Sequence, residues 1–176
     1  MVIPEILDFP RADVIPEAQL PLRLLRPTAV LLREKSSYPL LLETALLSGP
    51  QLLVPECWRD LLPQAGVLIS SAISGGSFRR RLEDALLAAP KRCWLLVEPV
   101  SMVFPLPCPT GCGQPVSQPL THNGFYSDAL CCYYTHSAEA ETGSFTLFDT
   151  EDTLRRKLEL ARDLGFCGWV FPDLSC

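Results

Sequence analysis

Short apolar runs alternate with helix-like segments along most of the chain after residue 27. Nearly continuous apolar runs are typical of strands covered on both faces, whereas apolar residues three and four apart are typical of helices. The pattern predicts strands at 2–7, 28–33, 51–54, 67–73, 93–97, 129–135 and 166–171, and helices at 39–47, 58–62 and 78–89. This alternation indicates an α/β fold with right-handed crossovers, a mainly parallel sheet of about six strands and flanking helices.

The stretch from Phe145 to Asp173 carries the most consistent local signals and predicts a short strand, a helix and a buried strand. Asp149 or Thr150 can cap the helix, because a short oxygen-bearing side chain accepts from free N–H groups of the first turn. Gly165 ends the helix, since glycine enters the left-handed conformation without a Cβ clash. The segment therefore supports a parallel α/β arrangement.

Length and composition indicate one domain spanning residues 1–176. Hydrophobic residues make up 48% of the chain and charged residues 20%, which suits a packed core. Residues 1–27 contain five prolines and are interpreted as an irregular arm. The strand at 93–97 is predicted to continue or bend through Pro99 toward Phe104. Residues 105–123 combine prolines with Cys108 and Cys112 and are predicted to form a long irregular loop.

Charge and cysteine content restrict the classes of partner. The net charge is −5 without a basic stripe, which argues against nucleic-acid binding. Early acids and prolines do not match a secretory signal, and no apolar run approaches the ~20 residues of a membrane span. We therefore expect a cytoplasmic protein whose eight cysteines are reduced, with no membrane partner, no cofactor and homo-oligomerisation left open.

The candidate chemistry lies after the strands, because the carboxyl ends of parallel strands share one edge of a sheet. The segments expected to form this rim are 70–77, 98–102, 134–136 and 172–173. Glu98 ends an apolar strand, where burial would favour its protonated form and make it a candidate general acid. Asp173 and His136 are candidate catalytic partners, although Glu98 would also suit a solvated strand end.

Ligand-binding candidates lie in the same predicted rim. Ser74, Gly75 and Gly76 open a helix and could approach an anion or a sugar ring, or simply form a turn that needs glycine. Tyr134 and Trp169 could stack on a sugar, although aromatic residues near strands are more often core.

Metal binding is an alternative use of the polar cysteine-containing loop. Cys108, Cys112 and His122 have the ligand chemistry for zinc, but the spacing CPTGC is wider than a usual knuckle and has no matching second pair. Unpaired thiols are the competing interpretation.

Two segments resemble the chitinase-like glycoside hydrolases with TIM-barrel folds. LISSAISGGSF at 68–78 is similar to their third strand and its SxGG turn, and FDTEDTLRRKLELARDLGFCGWVFPD at 148–173 to their last helix and strand. KRCWLLVE at 91–98 corresponds to their acidic motif DxxDxDxE, with Glu98 at the final glutamate but Lys91, Trp94 and Leu96 at the aspartate positions. A full barrel takes about 250 residues, so an abbreviated barrel or an open doubly wound sheet is expected here.

These observations lead to one principal hypothesis and two alternatives. The principal hypothesis is a glycoside-hydrolase-like domain that binds or hydrolyses a carbohydrate or similar polar ligand at the carboxyl rim, with Glu98 as the acid. The first alternative is a non-catalytic interaction or structural module on an enzyme scaffold that has lost its acids. The second is a metal or redox module based on cysteine.

Overall fold

The computed structural model describes residues 9–12, 29–31, 51–60, 62–107, 113–116, 124–138 and 143–171. These residues form a mixed α/β fold with one parallel and one antiparallel sheet. The segments predicted as a strand at 2–7 and a helix at 39–47 lie outside the described residues.

The first sheet consists of short strands that pair only in parallel. Its strands, numbered in chain order, are β1 (Arg11–Ala12), β2 (Ala29–Leu31), β3 (Gln51–Pro55), β4 (Gly66–Ser70), β5 (Cys93–Leu96) and the last strand, β11 (Gly168–Val170). Their order across the sheet is β1-β11-β5-β4-β3-β2. A parallel sheet is therefore present as predicted, but it does not include every strand that was assigned to it.

The second sheet has five antiparallel strands in the order β7-β6-β10-β9-β8. They are β6 (Ser101–Leu106), β7 (Gln114–Pro115), β8 (Phe125–Ser127), β9 (Cys132–Ala138) and β10 (Gly143–Phe148). This sheet corrects three predictions. The strand expected at 129–135 corresponds to β9, which does not join the parallel sheet. The single bending strand expected at 93–104 is two strands, β5 and β6, in different sheets. The segment 105–123, expected to be an irregular loop, contains the end of β6 and all of β7.

The two helices agree with their sequence signals. Helix α1 (Phe78–Ala88) follows Ser77, whose Oγ accepts from the backbone N of Arg80 at 3.4 Å. Helix α2 (Glu151–Leu164) begins after Thr150 and ends at Gly165, which has φ 92°. A 3₁₀ turn at Glu56–Trp58 replaces the α-helix predicted at 58–62.

The two faces of the parallel sheet have different partners. Helices α1 and α2 cover one face, where Ile69, Leu95 and Trp169 pack among the buried residues of a large core cluster. The opposite face carries a smaller cluster formed by Leu53, Leu68, Trp94 and Val170. Since side chains alternate along a strand, Ser70 and Leu96 project on the same side as Leu68 and Trp94. This second face positions the candidate site.

Candidate functional site

A cavity of about 340 Å³ opens at the carboxyl edge of the parallel sheet. The strands β3, β4 and β5 all end there because they run in the same direction. The described residues that line it are Pro55, Glu56, Leu68, Ser70, Arg81, Leu96 and Glu98. The cavity thus combines an apolar floor with two carboxylates, a guanidinium and a hydroxyl.

Two consecutive serines at the end of β4 hold Glu98. Ser70 Oγ donates to Glu98 Oε2 at 2.6 Å and accepts from the backbone N of Ala72 at 3.0 Å. The buried Ser71 hydroxyl accepts from the backbone N of Glu98 at 2.9 Å and donates to its carbonyl, also at 2.9 Å. Both the backbone and the carboxylate of Glu98 are therefore fixed relative to β4.

Glu56 and Arg81 form an ion pair on another wall of the cavity. Arg81 Nη1 donates to Glu56 Oε1 at 2.9 Å, and Arg81 Nη2 contacts the second carboxylate oxygen. This hydrogen bonding is the main cause that lowers the pKa of Glu56 and raises the pKa of Arg81. Both groups stay charged at neutral pH, and their fork-shaped contact compensates one of the two carboxylates in the cavity.

A buried ion pair supports the rim from below. Lys157 Nζ, on α2, donates to Asp149 Oδ2 at 2.8 Å and to the carbonyl oxygen of Ser71 at 3.0 Å, and both charged side chains have 0% exposure. Asp149 Oδ2 also accepts from the backbone N of Val100 at 2.8 Å, while the backbone N of Asp149 donates to the Val100 carbonyl at 2.8 Å. The pair joins the carboxyl end of β4 to the start of the second sheet.

Sequence reasoning missed the role of Lys157, although a signal exists. Lys157 lies on the apolar stripe of α2, three residues after Leu154 and four before Ala161, where a lysine must find a buried partner. Asp149, identified only as a candidate cap, lies two helical turns earlier. A charged residue inside an apolar stripe was the available indication of this pair.

Of the other predicted site residues, those that the structure describes do not line the cavity. Ser74, Gly75 and Gly76 are exposed in the turn before α1, and Gly76 has φ 78°. Tyr134 and His136 lie on β9 of the second sheet. On β10, Phe145 is the partner of His136. Phe148, three residues further along β10, is the partner of Ser101 on β6. This separation amounts to roughly 10 Å along the strand, so the structure does not place His136 beside Glu98.

Tyr134 and His136 instead belong to an aromatic group on the second sheet. Their rings lie 5.6 and 5.9 Å from that of Phe125, and Tyr134 lies 5.2 Å from Phe145. Tyr134 and His136 were expected at the rim of one parallel sheet. Their position differs because β9 runs antiparallel in another sheet.

Trp169 occupies the helix-covered face of the parallel sheet rather than the cavity face. It is 2% exposed, and its Nε1 donates to the Phe9 carbonyl at 3.2 Å. Trp169 thus packs in the core, which is the interpretation that the sequence analysis kept beside the stacking role.

Asp173, Cys108, Cys112 and His122 lie outside the described residues. Within the described ranges, no group of three or more His, Cys, Asp and Glu side chains is arranged to hold a metal ion. The described cysteines, from Cys57 to Cys167, are all free thiols. Neither helix of the described part is long and apolar enough to cross a membrane.

Comparison with known proteins gives structural but not sequence relatives. No family model matches the chain, and no curated protein matches it significantly. The spore cortex-lytic enzyme SleL of Bacillus megaterium superposes with a TM-score of 0.55 at 12% identity, over 84% of this chain and 46% of that enzyme. SleL of Bacillus cereus gives 0.56 at 11% identity, over 84% and 44%.

A chitinase from Chromobacterium violaceum is similar over 84% of this chain and 61% of its own, with a TM-score of 0.56 and 14% identity. These neighbours confirm, for the fold, the resemblance to chitinase-like glycoside hydrolases that the sequence motifs indicate. The chain spans only about half of the SleL enzymes and about three-fifths of the chitinase. The comparison therefore shows an α/β fold similar to that of these enzymes, of which the chain spans a part.

Proposed function

We propose that this domain binds a carbohydrate, or a similar polar ligand, in the cavity at the carboxyl edge of the parallel sheet. The observation that carries the proposal is the position of Glu98, whose carboxylate lines the cavity and is held by Ser70 at 2.6 Å. A pre-oriented carboxylate in a concave site is well suited to accept hydrogen bonds from sugar hydroxyls.

The shape and lining of the cavity agree with a ligand of this kind. Its volume of about 340 Å³ falls within the range of small-molecule sites. Leu68 and Leu96 supply apolar surface against which the C–H face of a sugar ring can pack, while Glu98 and Ser70 supply the polar contacts. The Glu56–Arg81 pair adds further donors and acceptors at the wall. The finer architecture that we propose is an abbreviated barrel whose inner face carries this site.

Binding without hydrolysis is the form of the proposal that the lining residues favour. Cleavage of a glycosidic bond commonly uses two carboxyl groups with different roles. Of the two in the described lining, Glu56 is paired with Arg81. Trp94 and Leu96, on the same face as Glu98, stand where the resembling family carries aspartates. These features support the non-catalytic alternative.

Hydrolysis is the second candidate, because Glu98 occupies the position of the family's final glutamate. In that case Glu98 would be the general acid, with Asp173 as the supporting group proposed from sequence; His136, the other group named there, lies on β9 away from Glu98. The cysteine-based alternative depends on residues outside the described part and remains a sequence prediction.

A glycan screen tests the proposal. Wild-type protein is titrated with oligosaccharides and cell-wall fragments at millimolar concentrations, and each mixture is incubated and analysed for products by mass spectrometry. Glu98→Gln keeps the shape of the side chain but removes its charge, which weakens each hydrogen bond from the ligand. We expect about tenfold weaker binding. Glu83→Gln, on the exposed side of α1, is the matched control and should bind as wild type does.

The outcomes separate the candidates. Binding that needs Glu98 but yields no products supports a binding domain, whereas products lost in Glu98→Gln establish hydrolysis. The site assignment is wrong if Glu98→Gln binds every ligand as tightly as wild type does.

A further inference from the structure

We infer that the cavity selects a sugar with a free amine, such as a deacetylated hexosamine, over its N-acetylated or acidic counterpart. This inference rests on the proposed function, because it names the ligand class of the same cavity. Its basis is the net charge of the described lining residues, counted after each charged side chain has been matched with its ionic partner.

Three charged side chains line the described part of the cavity: Glu56, Arg81 and Glu98. Arg81 is committed to Glu56, with one contact of 2.9 Å and a second to the other carboxylate oxygen. The hydrogen bond to the Glu98 carboxylate comes from a neutral donor, the hydroxyl of Ser70. The lining residues therefore carry a net charge of minus one, located on Glu98.

The buried lysine beneath the rim, Lys157, does not compensate this charge. Lys157 directs its Nζ to Asp149 Oδ2 and to the Ser71 carbonyl, and both charged side chains have 0% exposure. Its positive charge is thus matched by Asp149 inside the core. A ligand cation can supply the countercharge that the described surroundings of Glu98 do not.

The same arrangement discriminates among substituents on a sugar ring. An ammonium group brings a full positive charge to its hydrogen bond with Glu98, whereas a neutral amide N–H donates to the same carboxylate without supplying a countercharge. A carboxylate-bearing sugar would meet Glu98 with like charge and could reach Arg81 only in competition with Glu56. The expected preference for the amine over the N-acetyl form is about tenfold.

The test compares two β-1,4-linked trimers, one of glucosamine and one of N-acetylglucosamine, by isothermal titration calorimetry at equal ionic strength. We expect wild-type protein to bind the glucosamine trimer about tenfold more tightly. Glu98→Gln should bind both trimers with similar affinity. Ser70→Ala keeps the charge, so it should retain the preference even if both affinities fall.

Non-specific attraction requires a control, because the protein has a net charge of −5 and the glucosamine trimer is cationic. Glu83→Gln makes the same change in net charge at an exposed position on α1 and should keep the full preference. If Glu83→Gln reduces the preference as much as Glu98→Gln does, the attraction is general and the inference is wrong.

Failure of the inference can be distinguished from failure of the proposed function. Equal binding of both trimers, or tighter binding of the acetylated one, overturns amine selectivity but leaves a carbohydrate site. A preference that survives in Glu98→Gln overturns the assignment to this carboxylate. Absence of binding by both trimers, and by every glycan of the wider screen, overturns the proposed function together with the inference.

Discussion

Replacing Lys157 by methionine should be among the most destabilising single changes in the described core. Methionine fills a similar volume but removes the cation, leaving the Asp149 carboxylate buried without its ionic partner. Both charged side chains have 0% exposure, so water cannot replace the lost contact without opening the structure. Removing one member of a buried ion pair costs about 3–5 kcal/mol.

The remaining contacts place the expected cost near the lower limit. Asp149 still accepts from the Val100 backbone N at 2.8 Å and from Thr153 Oγ1 at 2.8 Å, which compensates part of its charge. The Ser71 carbonyl loses the donor now at 3.0 Å, which adds about 1 kcal/mol. We therefore expect about 3–4 kcal/mol, a large fraction of the roughly 5–15 kcal/mol typical of a domain.

The measurement is urea unfolding followed by tryptophan fluorescence, with a double-mutant cycle through Asp149→Asn. The double variant buries no net charge, so its destabilisation should be less than the sum of the two single effects by about 1.5 kcal/mol or more. Arg155→Met, on the same helix, breaks exposed ion pairs with Glu151 and Asp152 and should cost less than about 0.5 kcal/mol. A cost below about 1 kcal/mol for Lys157→Met, or strict additivity in the cycle, would refute the reasoning.

Two further predictions concern packing and buried thiols. Gly168→Ala should destabilise the protein by about 1–3 kcal/mol in the same assay, because the new Cβ would lie 2.5 Å from Trp94 Cζ3. Gly75→Ala is the control, since its new Cβ meets nothing within 4 Å and the change should be nearly neutral. Equal effects of the two substitutions would contradict this prediction. Burial raises the pKa of Cys93 from 9.0 to about 11, so its stabilising contribution is complete below pH 9 and is lost as pH rises through about 11. At pH 8.5, alkylation mapped by mass spectrometry should modify exposed Cys57 well before Cys93, and rapid labelling of Cys93 in folded protein would contradict its burial.

The elements most accurately predicted from sequence are those governed by local chemistry. Ser77, Thr150 and Gly165 bound the two helices in the roles that their side chains indicate. The topological rule also placed Ser70 and Glu98 at one edge, and their side chains are hydrogen-bonded there. In both cases the signal depends on a few neighbouring residues or on a property shared by all parallel strands.

The second sheet could not be predicted in this way, because a short apolar run does not indicate which strand it pairs with or in which direction. The segment that forms β9 has the composition of a strand in either sheet, and only its pairing with β10 removes His136 from the rim. The composition of β9 did provide a hint: Thr135, His136 and Ser137 are polar, whereas Cys93–Leu96 is apolar throughout, as is typical of a strand covered on both faces.

The residues around Glu98 bear on the proposal that this domain binds a ligand without hydrolysing it. Trp94 and Leu96 replace the acidic positions of the resembling motif, and Trp94 packs with Leu53, Leu68 and Val170 into an apolar cluster on the cavity face of the sheet. Apolar side chains therefore occupy the positions where the resembling family would carry additional carboxylates. In the function that we propose, Glu98 would act as a single fixed charge above an apolar floor. Among the described lining residues the second carboxylate, Glu56, is paired with Arg81, so no unpaired carboxylate is left there for a proton-transfer or nucleophilic step.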